Sequence, residues 1–281
     1  MKVLLTGRGG QVGSALEPLL GPLGEVAAFD RAGLDLSDPA ALERAVARVR
    51  PDVIVNAAAY TAVDRAEAER EAAFAVNSHA VSALARAAAS IDALLVHFST
   101  DNVFDGGKRA PYVETDATRP LNVYGESKLA GERAIAASGC RHAILRTSWV
   151  YAPRGRNFML SILAAARAGR DLRVVDDQTG APTSSAAIAR AVMRVLAAPA
   201  PASGVYHVSA AGQTTWFGIA REILRHKSLE ARITPVTTAD YGAAAPRPRN
   251  SVLDNAKFLA AFGWRPEDWR GELAAVLAAI H

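Results

Sequence analysis

Short apolar runs alternate with longer alanine-rich stretches through the first half of the chain. Lys2–Thr6, Val26–Asp30, Val53–Asn56, Leu94–Ser99 and Ala143–Arg146 are near-continuously apolar, as expected of strands covered on both faces. Gln11–Leu20, Pro39–Val49 and Glu71–Ser90 have helical character, as does the stretch carrying Tyr124 and Lys128. Strand–helix alternation predicts an α/β fold with a doubly wound parallel sheet and right-handed crossovers.

The rhythm changes after about Thr147. Loop sequences become frequent, as in Pro153-Arg-Gly, Asp176-Asp-Gln-Thr-Gly and Ala181-Pro. A helix is predicted near Ala186–Leu196, a Pro/Ala linker at Ala198–Ser203, a short strand at Val205–Val208 and an irregular stretch at Asp240–Asn250. This divides the chain into a dinucleotide-binding domain at 1–147, with a returning segment near 184–208, and a smaller, partly discontinuous C-terminal portion at 148–281. The latter is expected to close over the strand ends and bind substrate. The alanine runs read as helix rather than disordered low-complexity sequence, because apolar residues recur through them.

Half of the 281 residues are hydrophobic, enough for a sizeable core. The formal charge of +4 is mild, and no basic run is dense enough to suggest a nucleic-acid face. Of 32 cationic residues only five are lysine. Arginine forks suit phosphate recognition, but a GC-rich coding bias, which the many alanines also suggest, is the simpler explanation of the excess. Cys140 is the sole cysteine, so an intramolecular disulfide and a cysteine metal cluster are both ruled out. That fits a reducing compartment. No apolar stretch reaches a bilayer span, and the opening strand meets Gly7 too soon for a signal-peptide core. A cytoplasmic location follows, with no membrane partner.

Gly7, Gly10 and Gly13 lie between a predicted strand and a predicted helix. In a Rossmann-type βα turn, one glycine permits the turn, one admits a pyrophosphate and one lets helix pack on strand. Gln11 and Val12 begin the helix, whose N-terminus would face the phosphates. The spacing is Gly-x-x-Gly-x-x-Gly, and a glycine turn without a ligand is the plainer alternative. Asp30, 17 residues after Gly13, could accept from an adenosine ribose, while the adjacent Arg31 could pair with a 2′-phosphate. The choice between NADH and NADPH therefore stays open. Asp35 and Leu36 form a plausible adenine-side loop, though Asp35 could equally cap the next helix. Ala59, Tyr60 and Thr61 follow strand three with small residues before them, which leaves room for a cofactor or merely reflects packing.

Thr100 and Asp101 follow a buried strand, at the carboxyl end where open α/β sheets bind ligands. Tyr124 and Lys128 are one helical turn apart, on one face. Thr100 can hydrogen-bond a carbonyl, and Tyr124 can deliver a proton to it. A free phenol titrates near ~10, and an ammonium alongside would lower that value. A lone Tyr-x-x-x-Lys is usually a surface pair. Combined with the glycine turn, it points to coupled hydride and proton transfer. The six histidines show no metal-ligand spacing, and neither a Gly-x-Ser-x-Gly elbow nor a Walker sequence is present.

Thr6-Gly7-x-x-Gly10-x-x-Gly13 with Tyr124-x-x-x-Lys128 resembles the extended short-chain dehydrogenase/reductase superfamily. Further segments are Asn56-Ala-Ala-Ala-Tyr-Thr-Ala-Val-Asp64, Ser99-Thr-Asp-Asn-Val-Phe-Asp105, Pro120-Leu-Asn-Val-Tyr-Gly125, Arg146-Thr-Ser-Trp-Val-Tyr151, Asp177-Gln-Thr-Gly-Ala-Pro-Thr183 and Arg247-Pro-Arg-Asn-Ser251. Together they resemble the dTDP-4-dehydrorhamnose reductase family over nearly the whole chain. The resemblance implies NAD(P)H-dependent reduction of the C4 ketone of dTDP-4-dehydro-β-L-rhamnose to dTDP-β-L-rhamnose, the last step of dTDP-rhamnose biosynthesis. It implies Tyr124, Lys128 and Thr100 as catalytic residues and a small-molecule dTDP-sugar partner. Asp101, Trp149, Thr183 and Arg247 would join Thr100 at the substrate. By residue type alone, Trp149 could equally be core and Arg247 a solvated surface arginine.

Two positions depart from the family pattern. Asn102 stands where a tyrosine is usual, in a stretch thought to line the sugar site. Members with a magnesium-bridged dimer carry a glutamate where this chain has Ala15, so Mg2+ enters only as a family property that lacks its carboxylate here. The chain could be a monomer or a homodimer. A related dehydratase would need an acid after Thr-Asp, where Asn102 stands. An epimerase fits the Thr183 and Arg247 segments less well. A non-catalytic dinucleotide-binding regulatory subunit is the alternative outside enzymes.

Overall fold

The computed structural model describes residues 1–264 and 266–280. Five strands, β1 (Lys2–Thr6), β2 (Glu25–Phe29), β3 (Val53–Asn56), β4 (Leu94–Thr100) and β5 (His142–Thr147), alternate with helices. A sixth strand, Gly204–His207, joins beside β5, and the sheet runs Gly204–His207, β5, β4, β3, β1, β2. Every pairing in it is parallel. The expected doubly wound sheet is therefore present. Strand two ends one residue earlier than its apolar run suggested, so Asp30 is the first residue beyond it.

Residue parity divides the two faces, as a period of two requires. Val3, Leu5, Val53, Val55, Val96 and Phe98 face one cluster, with Leu16 of α1 (Gln11–Leu20) and Val192 from the Ser185–Ala197 helix. Leu4, Ile54 and Leu95 face the other, with residues of α2 (Pro39–Val49) and of the helix ending at Ser90. All three are fully buried, and truncating any one to alanine should cost about 2–5 kcal/mol.

The predicted long helix at 71–90 is not uniform. After the short α3 (Val63–Ala66) come α4 (Arg70–Phe74), a π-helical stretch Ala75–His79 and α5 (Ala80–Ser90). Such bulges often occur at functional sites. Here Asn77 turns inward, accepts from the Tyr60 amide at 2.9 Å and donates to the Tyr60 carbonyl and to Ser127. The next helix, α6 (Val123–Ser138), packs so closely that a Cβ on Gly131 would come within 2.2 Å of the Asn77 carbonyl.

Beyond β5, a third cluster gathers Met159, Ile162 and Leu163 of α7 (Phe158–Arg167), Ile219 and Ile223 of the Trp216–His226 helix, and Trp269 and Leu273 of the Trp269–Ala278 helix. A parallel pair, Leu172–Val175 with Ile233–Val236, flanks it. The cluster lies against the carboxyl ends of β4 and β5, and the cleft opens there. Among the described residues no helix is long and apolar enough to cross a membrane.

Candidate active site

The turn after β1 is shaped by glycines that need one another. Gly7 has φ of +71°, and a Cβ on it would come within 2.7 Å of the Ala57 and Ala58 backbone. A Cβ on Gly13 would come within 2.1 Å of the Gly7 carbonyl. Helix α1 can thus approach β1 and β3 only with glycine at both positions. Gly10 caps α1 without a side-chain partner and donates its N–H to Gly7 at 2.9 Å. The first turn of α1 has no acidic residue, so its N–H groups and dipole present an anion-compatible end. The adjoining residues fit a dinucleotide with uneven directness. Gln11 lines the cleft and accepts from Asn157 at 2.9 Å, whereas Val12 packs on the core. Asp30 and Arg31 are exposed at the end of β2, where Asp30 accepts from the Gly33 amide. Asp35 does not cap α2: Asp38 does, while Asp35 accepts from the Ser37 amide and hydroxyl. Leu36 is buried with Leu4, Leu42 and Ile54. Ala59 is half-buried, Tyr60 donates its hydroxyl to Glu69 at 2.6 Å, and Thr61 lines the cleft.

The cleft holds about 380 Å3. One wall descends from the sheet. Thr100 ends β4 and donates to Asp101 at 3.0 Å. Asp101 also accepts from Ser148 at 2.9 Å and Asn102 at 3.0 Å, yet burial outweighs these donors and raises its pKa. Asn102 is held from both ends, because its carbonyl accepts from Asn122 while its amide faces Thr100 and Asp101. Asn122 in turn caps α6 by accepting from Gly125 at 2.8 Å. Gly125 is obligatory, since a Cβ there would come within 2.2 Å of the Asn102 carbonyl. The helix carrying Tyr124 is therefore fixed directly to the loop after β4.

Tyr124 shows part of its surface to the cleft beside Thr100. Burial pushes its phenol up to about 12, with the Thr100 hydroxyl pulling back and Asp101 adding to the rise. Lys128 lies deeper and is buried. Burial brings its ammonium down to about 8, with Glu132 opposing. The lowering of the tyrosine toward neutrality expected from the lysine is thus outweighed, because desolvation governs both groups. Near neutral pH the pair is a protonated phenol above a lysine close to its own titration.

The opposite wall is aromatic. Trp149, at φ of 46°, stacks on Trp216 at 3.8 Å and 8°, and Phe158 packs against Trp216 at 4.7 Å. Trp216 donates to Gln178 at 3.0 Å. A Cβ on Gly180 would come within 2.4 Å of the Trp149 ring, so that glycine admits the stack. Arg247 reaches over the cleft to form a two-pronged pair with Asp64 at 3.0 and 2.8 Å. It tethers the C-terminal loop to α3. Thr183 does not reach the cleft. It is fully buried, donating to Ala181 and accepting from Ala210, and Pro182 lines the wall instead.

Sequence reasoning passed over His97, Glu132, Arg146, Arg156, Asn157 and Trp216. Two of these left a signal. His97 interrupts the apolar run of β4, and Glu132 continues the Tyr124–Lys128 face by one more turn. Glu132 accepts from Ser99 and, in a fork at 2.9 and 2.6 Å, from Arg146. The rest, Arg146 on β5 and Arg156, Asn157 and Trp216 in a loop and at helix starts beyond it, have no local pattern. Ala15, partly buried on α1, packs on the core and brings no carboxylate. Among the described residues no group of three or more His, Cys, Asp or Glu side chains could hold a metal ion.

A parallel sheet, a glycine-built turn at an open helix N-terminus, and a Thr–Tyr–Lys constellation at the strand ends define a dinucleotide-dependent reductase of the extended short-chain dehydrogenase/reductase class. The family model for the RmlD substrate binding domain matches residues 1–281, and the chain belongs to that family. A Burkholderia thailandensis dTDP-4-dehydrorhamnose reductase is 46% identical, over 96% of this chain and 96% of that protein. The solved dTDP-4-dehydrorhamnose reductase of Clostridium acetobutylicum superposes with a TM-score of 0.95 at 34% identity, covering 99% of each chain. The Bacillus anthracis enzyme of the same name, solved in complex with NADP, gives 0.94 at 33% identity, over 99% of this chain and 100% of that one.

Proposed function

We propose that this chain reduces the C4 ketone of dTDP-4-dehydro-β-L-rhamnose to dTDP-β-L-rhamnose, with NADPH or NADH as reductant, as the last step of dTDP-rhamnose biosynthesis. The observation that carries this reading is the placing of Thr100 and Tyr124 side by side at the mouth of a cleft whose far wall is a tryptophan stack. A bound reduced nicotinamide supplies the hydride.

The protein's own groups supply the rest. The Thr100 hydroxyl turns its proton from Asp101 to the substrate carbonyl and holds that carbonyl against Tyr124. The phenol, protonated near neutral pH because burial pushes it to about 12, gives its proton to the carbonyl oxygen as that oxygen becomes an alkoxide. A developing alkoxide is more basic than the phenolate, so the transfer is downhill despite the high value. The Lys128 ammonium stabilises the phenolate left behind. Asp101 fixes Thr100 and Asn102, and Asn102 lacks the carboxyl that an elimination would need.

Gly7, Gly10, Gly13 and the adjoining Gln11 and Val12 would hold the pyrophosphate. Asp30, Arg31, Asp35 and Leu36 would lie on the adenosine side, and Ala59, Tyr60 and Thr61 along the strand ends. Arg31 and the NADP-bound Bacillus anthracis neighbour favour NADPH. Residues 1–147 with 184–208 would form the dinucleotide-binding part and the rest of 148–281 the sugar-nucleotide part, in which Trp149 and Trp216 face the sugar. A nucleotide sugar, a dinucleotide and a single buried thiol suit a cytoplasmic enzyme.

The test follows nicotinamide absorbance with dTDP-4-dehydrorhamnose. Substrate-dependent oxidation by the wild-type chain is expected, together with dTDP-rhamnose among the products. No oxidation, or release of a dehydrated or epimerised sugar, would refute the reading. Running NADPH and NADH in parallel decides the coenzyme.

A further inference from the structure

Behind Lys128, a row of polar side chains crosses three strands in register. Thr6 pairs with Asn56 across β1 and β3, and Asn56 pairs with His97 across β3 and β4. All three project to the α5–α6 face, where the preceding row is the apolar Leu4, Ile54 and Leu95. All are essentially inaccessible to solvent. Their side chains form a continuous chain. Thr6 Oγ1 lies 2.7 Å from Asn56 Oδ1, Asn56 Nδ2 lies 3.1 Å from His97 Nδ1, and His97 Nε2 lies 3.3 Å from Lys128 Nζ. Three buried polar groups in one row, directly beyond an apolar one, cost stability unless each is satisfied.

We infer that His97 is a positioning residue of the reaction: its neutral imidazole, backed by Asn56 and Thr6, is the acceptor that holds the Lys128 ammonium and aims it at Tyr124. The inference rests on the reading of Lys128 as part of the proton-transfer site.

Donor and acceptor counting makes the chain direction-sensitive. With Thr6 donating to the Asn56 carbonyl, the Asn56 amide donates to Nδ1. The ring proton then sits on Nε2 and faces Lys128, which must be a neutral amine to accept it. A charged Lys128 has only donors, so Nε2 must accept. The ring proton then moves to Nδ1, the Asn56 amide turns over to accept it, and the Thr6 hydroxyl becomes the acceptor. The two ends of an amide fill nearly the same space, so both arrangements fit. The lysine's charge and the direction of three buried hydrogen bonds are thereby one variable.

The surrounding charges are consistent with this pairing. Glu132 acts on the ammonium from the same helix, but Arg146 of β5 forks onto it and neutralises it. Asp101 acts on Tyr124. Burial and the lysine charge hold the imidazole of His97 well below its usual titration range. That leaves it free to accept rather than compete as a cation.

Two measurements test the inference. In wild-type protein carrying 15N-labelled histidine, the His97 ring should be neutral throughout. Its proton should sit on Nδ1 while Lys128 is charged and pass to Nε2 as pH rises through about 8. A proton that stays on one nitrogen across that range, or a charged ring, would overturn the inference whatever the substrate proves to be. The second compares His97→Leu with His97→Gln, whose amide oxygen reaches the Nε2 position. With the leucine, kcat/KM should fall about tenfold and its alkaline limb move about one pH unit lower. With the glutamine, the limb should stay in place. Equal losses in both variants, with the limb unmoved, would reduce His97 to a packing role.

Discussion

The two walls of the cleft differ in what holds them. On the sheet wall, Thr100, Asp101, Tyr124 and Lys128 sit at strand ends and on one helix face, locked by glycines at 125 and 131 that allow backbone-to-backbone contact. On the far wall, Trp149, Phe158 and Trp216 come from loops and helix starts, and are held by stacking and by one bond to Gln178. A proton must be delivered to within a fraction of an ångström, so rigid elements carry it. A sugar nucleotide can be gripped by broad apolar area, which tolerates a looser frame. The difference assigns the chemical step to one wall and affinity to the other, and substitutions can separate the two.

The largest effect should come from Tyr124→Phe. Removing the hydroxyl should lower kcat about 10²–10⁴-fold, leaving KM for the sugar nearly unchanged in steady-state assays. Lys128→Met should lower kcat/KM about 100-fold and yet stabilise the fold. The fall of the lysine from 10.5 to about 8 corresponds to a burial penalty of about 3 kcal/mol. Below pH about 8 folded and unfolded lysines are both charged, and the penalty is present in full. Between about 8 and 10.5 the folded protein binds fewer protons than the unfolded, so stability gained by losing the charge rises with pH. The gain of the methionine variant in urea titrations should therefore shrink across that window. A constant gain would contradict the burial account.

Trp216→Ala tests the other wall. Loss of the stack should raise KM for the sugar nucleotide about tenfold while kcat stays within about threefold. A collapse of kcat in that variant would erase the distinction between the walls. The smallest effect is expected from Asp64→Asn, which releases Arg247. The pair is half exposed, so stability should change by under about 1 kcal/mol. Ligand titration should show a change in sugar-nucleotide affinity of no more than a few-fold.

The same contrast explains what could be read before the fold was known. Strand and helix identities in the first half, the glycine turn and the Tyr124–Lys128 face all rest on local spacing, so the sequence carried them. Thr183 was expected at the substrate from the family resemblance of its segment, but its hydroxyl is satisfied by Ala181 and Ala210. Trp216 and Asn157 were invisible because their neighbours in space, Trp149 and Gln11, lie far away in sequence. The ionisation of the site was also hidden. Residue types suggested that Lys128 draws Tyr124 down, whereas burial, which only packing determines, pushes Tyr124 up and brings Lys128 down.

The central claim is that Tyr124 on the sheet wall carries out the chemistry that the tryptophan wall only positions. Its most direct test is the single-turnover rate of dihydronicotinamide oxidation at saturating dTDP-4-dehydrorhamnose, measured side by side for wild type, Tyr124→Phe and Trp216→Ala. The rate should lie at least about 100-fold below wild type for the phenylalanine variant and within about threefold of it for the alanine variant. Equal rates for Tyr124→Phe and wild type, or a loss in Trp216→Ala as deep as that in Tyr124→Phe, would contradict it.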